Sequence, residues 1–321
     1  MHNELLLSPL ITNNPEEADF FYIPIHPFAC RVTEFLRKND ELIKEIRSLG
    51  PWYDRKKGSD HIVVSGFEAA YGDSPFSTSI TKDNFIIASP NPQRLDSWRT
   101  WHGQRNIIIP FVSHFKNFTF SDVNWTRKRN NTVYLAHSYN VLPLDAQALR
   151  KKVTDAVSKI KRKELIVFTR RPYRVVSIVR SLPEKMTNAD FCVCVRGDLQ
   201  LPNKRVFDAI NLGCIPVLIS DNVSLPFAHN LLDYSKFTIR IPEKDVDKIP
   251  EILESYSQSQ IQEMRNELKK AAKVLRFRVG QPPVVGEAFW AFSWMLYIRH
   301  MYKLQYDGIF YPAKLPNYKK I

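Results

Sequence analysis

The sequence predicts an α/β protein built from two parallel-sheet units in series. Short β-branched apolar runs alternate with segments of helical periodicity along most of the chain. The apolar runs are continuous rather than alternating in and out, which suits strands covered on both faces. A polar, aromatic stretch over residues 113–129 interrupts this alternation and reads as a linker. At 321 residues the chain is long for one core and fits two domains.

The elements follow in order. Residues 18–25 (ADFFYIPI) read as a buried strand ending among Pro24 and Pro27. Residues 33–49 have helical spacing and stop at Gly50-Pro51. Three short strands follow, at 60–67, 83–90 and 106–111, each with turn residues behind it. The second unit opens with a strand at 132–138, a helix at 144–160, a strand at 164–169 and a helix from about 173 to 182. Then come the strand ADFCVCV (189–195), a helix over KRVFDAINLG (204–213) and the strand CIPVLIS (214–220). A strand at 233–242 and helices at 245–257 and 260–277 complete the unit. Residues 288–304 are apolar nearly all round and predict a deeply packed tail helix. The expected domains are 1–125, 126–285 and a helical tail, 286–321, lying back across both.

Composition narrows the function classes. A chain with 44% hydrophobic and 25% charged residues is not a disordered one. Its net charge of +13 favours an anionic partner. The densest cationic patch, 151–163, has the spacing of a wet helix face and comes with no DNA- or RNA-binding motif, so a nucleic-acid partner is not expected. No apolar run reaches the roughly 18–20 residues needed to span a bilayer. The N-terminus lacks the charged and long apolar regions of a signal peptide, so the expectation is either a soluble protein or a targeting or anchoring segment outside this sequence.

Of four cysteines, Cys192 and Cys194 share one face of a predicted strand and Cys214 opens the next. Three buried thiols are expected here in preference to a disulfide, and the spacing is not that of a zinc site. Four glycosylation sequons occur, at Asn117, Asn124, Asn130 and Asn222. The first three crowd the polar linker, which leans towards a secretory-pathway lumen.

The stretch from Ala189 to Phe227 carries the candidate site. Gly197 and Asp198 follow one strand, and a helix begins near Asn203 with Lys204 and Arg205 in its first turn. Two cations at the positive end of a helix oppose its dipole. A bound diphosphate would reverse that sign, held by the free amides and both side chains. Asp208 lies one turn further on the same face, where a carboxylate could take ribose hydroxyls. A surface helix with a Lys204–Asp208 or Arg205–Asp208 pair explains the same spacing equally well.

This run, FCVCVRGD…KRVFDAINLGCIPVLISDNVSLPF, resembles the signature of the exostosin-type (family 47) glycosyltransferases. That signature reads FCL-C-P-x-G-D, then S-x-R, F-D/E-A, GCIPV and D-x-x-LPF. EEADFFYIPI, WYDRKKGSDHIVV, NIIIPF and RNNTVYLAHS with LRKK match further family segments in order, so the resemblance covers roughly residues 12–275. It implies a GT-B fold, with two facing Rossmann-like domains and a cleft between them. It implies an inverting, metal-independent transferase that takes a nucleotide-diphosphate sugar, UDP-linked, to an oligo- or polysaccharide acceptor, with no separate cofactor. By the same resemblance Arg205 contacts diphosphate, Asp208 binds ribose, and the enzyme is a glycoprotein of the Golgi lumen, compatible with assembly into oligomers. Arg196 stands where the family has Pro and Asn203-Lys204 replaces the start of S-x-R, both keeping charge suited to phosphate, whereas His137-Ser138 replaces a Gly and is expected to crowd the cleft. The alternative is a catalytically degenerate module that binds a glycan or partners an active transferase.

Inverting transfer needs a general base on the acceptor hydroxyl. Candidates at strand ends are His26, His61, Glu68, Asp73 and His114, with Glu68 and Asp73 ranked first because their loop follows a strand towards the expected cleft. Asp245-Val-Asp247 reads as an ordinary helix start rather than a metal-binding pair.

Overall fold

A computed structural model describes residues 1–24, 39–64, 85–90, 107–113, 123–138, 143–168, 176–197, 204–221, 223, 225–228, 230–278 and 280–301. The first unit holds α1 (His2–Leu6), β1 (Phe21–Ile23), α2 (Asn39–Ser48), α3 (Trp52–Arg55), β2 (His61–Val64), β3 (Ile86–Ser89) and β4 (Ile107–Ile108). Its strands form one parallel sheet in the order β1-β2-β3-β4.

The second unit holds β5 (Asn131–Ser138), α4 (Leu144–Ser158), β6 (Lys163–Phe168), α5 (Val176–Thr187), β7 (Ala189–Val195), α6 (Lys204–Asn211), β8 (Ile215–Ile219) and β9 (Ile239–Ile241). These strands are also all parallel, in the order β6-β5-β7-β8-β9. Counted along the chain that is 2-1-3-4-5, a doubly wound order whose direction reverses between β5 and β7. Then follow α7 (Ile249–Glu254), α8 (Gln258–Val274) and α9 (Ala288–Met301).

Burial explains why these segments are strands. Every residue of β7 and β8 is buried, so each run needs apolar side chains on both faces. Val133 and Leu135 of β5 join the main core with Leu149 and Val153 of α4. Tyr134 and Ala136, pointing the other way, pack with Met186, Ala209 and Leu212. The main core runs without a break into the first sheet through Ile62, Ile86, Ala88 and Ile107. Ala288, Ala291, Phe292 and Leu296 of α9 belong to it too, which is why that helix is apolar on most sides. Its far end reaches the first unit, where His300 lies 3.4 Å from Asp19 and edge-on to Phe20.

Several expectations need correction. Cys192 and Cys214 form a disulfide, where buried thiols were expected. The pairing of β7 with β8 sets their Cα atoms 5.7 Å apart, inside the bridging range. Cys194 alone of the described cysteines is free, and burial pushes its thiol up to about 12. Cys30 lies outside the described residues. The strand expected at 233–242 is only Ile239–Ile241. Asp233 accepts hydrogen bonds from the amide and hydroxyl of Ser235 and winds Tyr234–Lys236 into a 3-10 turn. The helix expected to stop at 182 continues through Pro183 to Thr187.

The end of that helix is held by Arg129. Its guanidinium donates to Met186 O (3.3 Å) and Ala189 O (2.7 Å), and more weakly to Leu212 O (3.5 Å) just past α6. A cation at two helix carboxyl ends meets carbonyls that have no partner in the helix. Gly213 is required beside it: φ is +68°, and a Cβ would stand 3.0 Å from Arg129 Nη2.

Candidate active site

The carboxyl ends of β5 and β7 flank the point where strand order reverses, which is where open α/β sheets leave a crevice for ligands. Gly197 lies just beyond β7 and α6 begins at Lys204. Gly197 has no left-handed φ, and among the described residues a Cβ there would meet Arg150 Nη2 at 3.9 Å, an ordinary contact. Lys204 and Arg205 are half-buried in the first turn of α6. The Arg205 charge acts on Tyr134 and His137 of β5 and on Cys194 of β7.

Arg150, from α4, braces the same place. Nη1 donates to Ser138 O at 2.6 Å, while Nε and Nη2 donate to Arg196 O at 3.3 and 3.2 Å. One guanidinium thus ties the end of β5 to the end of β7. Sequence reasoning passed over Arg150 as a site residue. Its partners are backbone carbonyls, which no side-chain pattern reveals.

Arg196 was expected to keep a charge suited to phosphate, and the structure corrects this. The side chain is committed to carboxylates, with Nη2 2.8 Å from Asp145 and Nε 2.6 Å from Glu243. Asp221, at the end of β8, accepts from the Glu243 amide at 2.9 Å and continues the same rim. Asp245 pairs with Lys248 at 2.8 Å inside a 3-10 turn, the helix-start role expected for it.

Asp208 is buried, and Ser113 Oγ donates to its Oδ1 at 2.6 Å. Ser113 follows β4, and Phe111 packs on Phe207 of α6 with ring centroids 5.9 Å apart. The segment leaving the first sheet therefore docks on the helix expected to bind the donor. No sequence signal marked Ser113, which stands 95 residues from its partner.

His137, expected to crowd the cleft, instead packs on the α4 face, buried, with Nε2 2.8 Å from Thr154 Oγ1. Burial, with the charges of Arg150 and Arg205, lowers its pKa to about 3. The imidazole is therefore neutral in the fold and must gain a proton on unfolding below about pH 6.5. Between these values the unfolded chain holds more protons, so stability is full above about 6.5 and falls as pH drops towards 3. Urea midpoints between pH 7 and pH 4 should show this acid limb, and a His137→Gln chain should show a shallower one. Equal slopes would remove His137 as the cause.

Among the base candidates, His61 is excluded. It opens β2, at the strand end remote from the crevice, and is packed with Phe21, Tyr53 and Phe85, with Nδ1 2.8 Å from Asp60. Glu68, Asp73, His26 and His114 lie outside the described residues, as does Asp198. Of the expected donor residues, Gly197 lies just beyond β7, while Lys204, Arg205 and Asp208 share the first turns of α6.

The Exostosin GT47 domain profile matches residues 1–256, most of the chain. The chain belongs to the exostosin GT47 family. "Probable beta-1,4-xylosyltransferase IRX10" of Arabidopsis thaliana is 29% identical to this GT47 chain over 315 residues, spanning 90% of the chain and 72% of the relative. "Probable glucuronosyltransferase GUT1" of Oryza sativa subsp. japonica is 25% identical over 313 residues, with 90% and 71% covered. Among solved structures, "Spinosyn Rhamnosyltransferase SpnG" aligns with a TM-score of 0.36 and 11% identity, over 78% of this chain and 80% of that one. The GT47 chain is an exostosin-like glycosyltransferase with two parallel α/β sheets.

Proposed function

We propose that this glycosyltransferase moves a sugar, with inversion and without a metal ion, from a UDP-sugar to a hydroxyl of a glycan acceptor. One observation carries the reading: α6 opens after β7 with Lys204 and Arg205 in its first turn, and the Arg205 charge acts on His137 at the end of β5 and on Cys194 near the end of β7, the two strands that flank the switch point. Together they place positive charge where a leaving diphosphate would gather negative charge, and fixed charge of this kind usually lowers a reaction barrier more than any other single effect. A divalent cation would add charge that these groups already supply. Asp208 takes the ribose, exchanging its bond to Ser113 for one to a sugar hydroxyl. The names of the plant relatives favour a xylosyl or glucuronosyl donor and a polysaccharide acceptor. Glu68 or Asp73, following β2 in the sequence, serves as the base. The disulfide favours an oxidising lumen, in keeping with the Golgi.

Calorimetry with UDP tests the donor site. Arg205→Ala is expected to weaken binding by about 1.5–3 kcal/mol, the worth of a hydrogen bond to a charged group. Unchanged affinity would take Arg205 out of the site. UDP release from UDP-xylose or UDP-glucuronate, with xylan oligosaccharides as acceptors, separates a working transferase from a module that only binds.

A further inference from the structure

We infer that Asn124 is an attachment site for an N-linked glycan. In the tripeptide Asn124-Trp125-Thr126, the two outer residues are exposed and the tryptophan between them is buried. The buried indole anchors the turn and leaves the acceptor amide and the hydroxyl outside. Asn124 Oδ1 accepts from the amide and hydroxyl of Thr126, both at 3.2 Å. The sequon is thus shaped and accessible on the finished surface.

Asn130 is exposed as well, but its Thr132 is buried in β5 with its amide bonded to Arg162 O at 2.7 Å. Asn117 and Asn222 lie outside the described residues. Among the described residues, Asn124 is therefore the sequon that offers both functional side chains on the surface.

Position makes the modification tolerable. Asn124 precedes β5, at the amino-terminal edge of the second sheet, whereas the crevice lies at the carboxyl end. The eight residues of β5 separate the two by about 25 Å at strand rise. A glycan there leaves the donor site open. A second observation points to the same compartment: Cys192–Cys214 needs an oxidising lumen, and that is where lipid-linked oligosaccharides are transferred to protein. In that step Asn124 Nδ2 attacks the anomeric carbon of an oligosaccharide linked to a lipid diphosphate. The new C–N bond forms, the C–O bond to diphosphate breaks, and the lipid diphosphate leaves. The amide proton passes to a base on the membrane transferase that supplies the co-substrate. None of this depends on the donor or acceptor of the chain's own reaction.

The full chain, directed into the secretory pathway of a eukaryotic host, tests it. Peptide-N-glycosidase treatment in heavy-oxygen water, then peptide mapping, is expected to find position 124 converted to aspartate carrying the label. Asn124→Gln and Thr126→Ala should each remove one glycan-sized step from the electrophoretic shift. Recovery of unmodified Asn124 from secreted, disulfide-bonded protein would overturn the assignment, and that mapping needs no variant to fold.

Discussion

An Asp190→Ala chain is expected to unfold with about 3–5 kcal/mol less free energy than the parent. Asp190 pairs with Arg265 where β7 begins, and both side chains are 3% exposed. Arg129 adds its charge nearby. Burial raises the Asp190 carboxyl above its ordinary range, while Arg265 and Arg129 pull against that rise. Burial likewise lowers Arg129, to about 9, with Arg265 pushing the same way. Removing the carboxylate leaves two guanidinium groups sharing an interior with no counter-charge. Whole domains hold only about 5–15 kcal/mol, so the loss is a large part of the total. Urea unfolding followed by circular dichroism reads it directly. Asp190→Leu combined with Arg265→Leu should recover much of the loss, because deleting a pair costs less than orphaning one member. A single variant with an unshifted midpoint would show that the pair does not sustain the fold.

Reducing Cys192–Cys214, or replacing Cys214 by Ser, is expected to cost about 3 kcal/mol on the chain-entropy account for a loop of this length. The bridge closes 22 residues. Those residues include Gly197, Lys204, Arg205 and Asp208, so the helix facing the crevice is the segment most freed by reduction. Oxidised and reduced protein compared in guanidinium chloride would show the shift. Coincident transitions would mean that β7 and β8 hold that segment by packing alone. Free Cys194, buried and with a raised pKa, is poorly suited to take over the bridge by exchange.

Much of the fold was legible because both sheets are built from continuous apolar runs. ADFCVCV and CIPVLIS could scarcely be anything but interior strands, and the structure buries all of β7 and β8. What escaped was decided by distant partners or by a single polar side chain. Asp233 alone turns 234–236 out of the strand pattern. The disulfide depends on which strands lie side by side, a tertiary fact absent from cysteine spacing. At the candidate site, the helix start was legible as a position: Lys204 and Arg205 open it and Asp208 follows one turn on, as the helical spacing predicts. Arg150 and Ser113 were not: Arg150 bonds backbone carbonyls 12 and 46 residues away, and the partner of Ser113 stands 95 residues off. Arg196 was misjudged for the same reason: Asp145 and Glu243 are remote in sequence and adjacent in space.

The commitment of Arg196 has a consequence for how the crevice attracts a ligand. Arg150 and Arg196 stand among Asp145 and Glu243, two positive and two negative groups knitted into one rim. From a distance their fields largely cancel. Of the described groups at this rim, Lys204, Arg205 and the amides of the helix they open are left to exert a long-range pull on an anionic ligand. Mechanical stiffness and electrostatic reach are divided between neighbouring arginines that look interchangeable when only their letters are read.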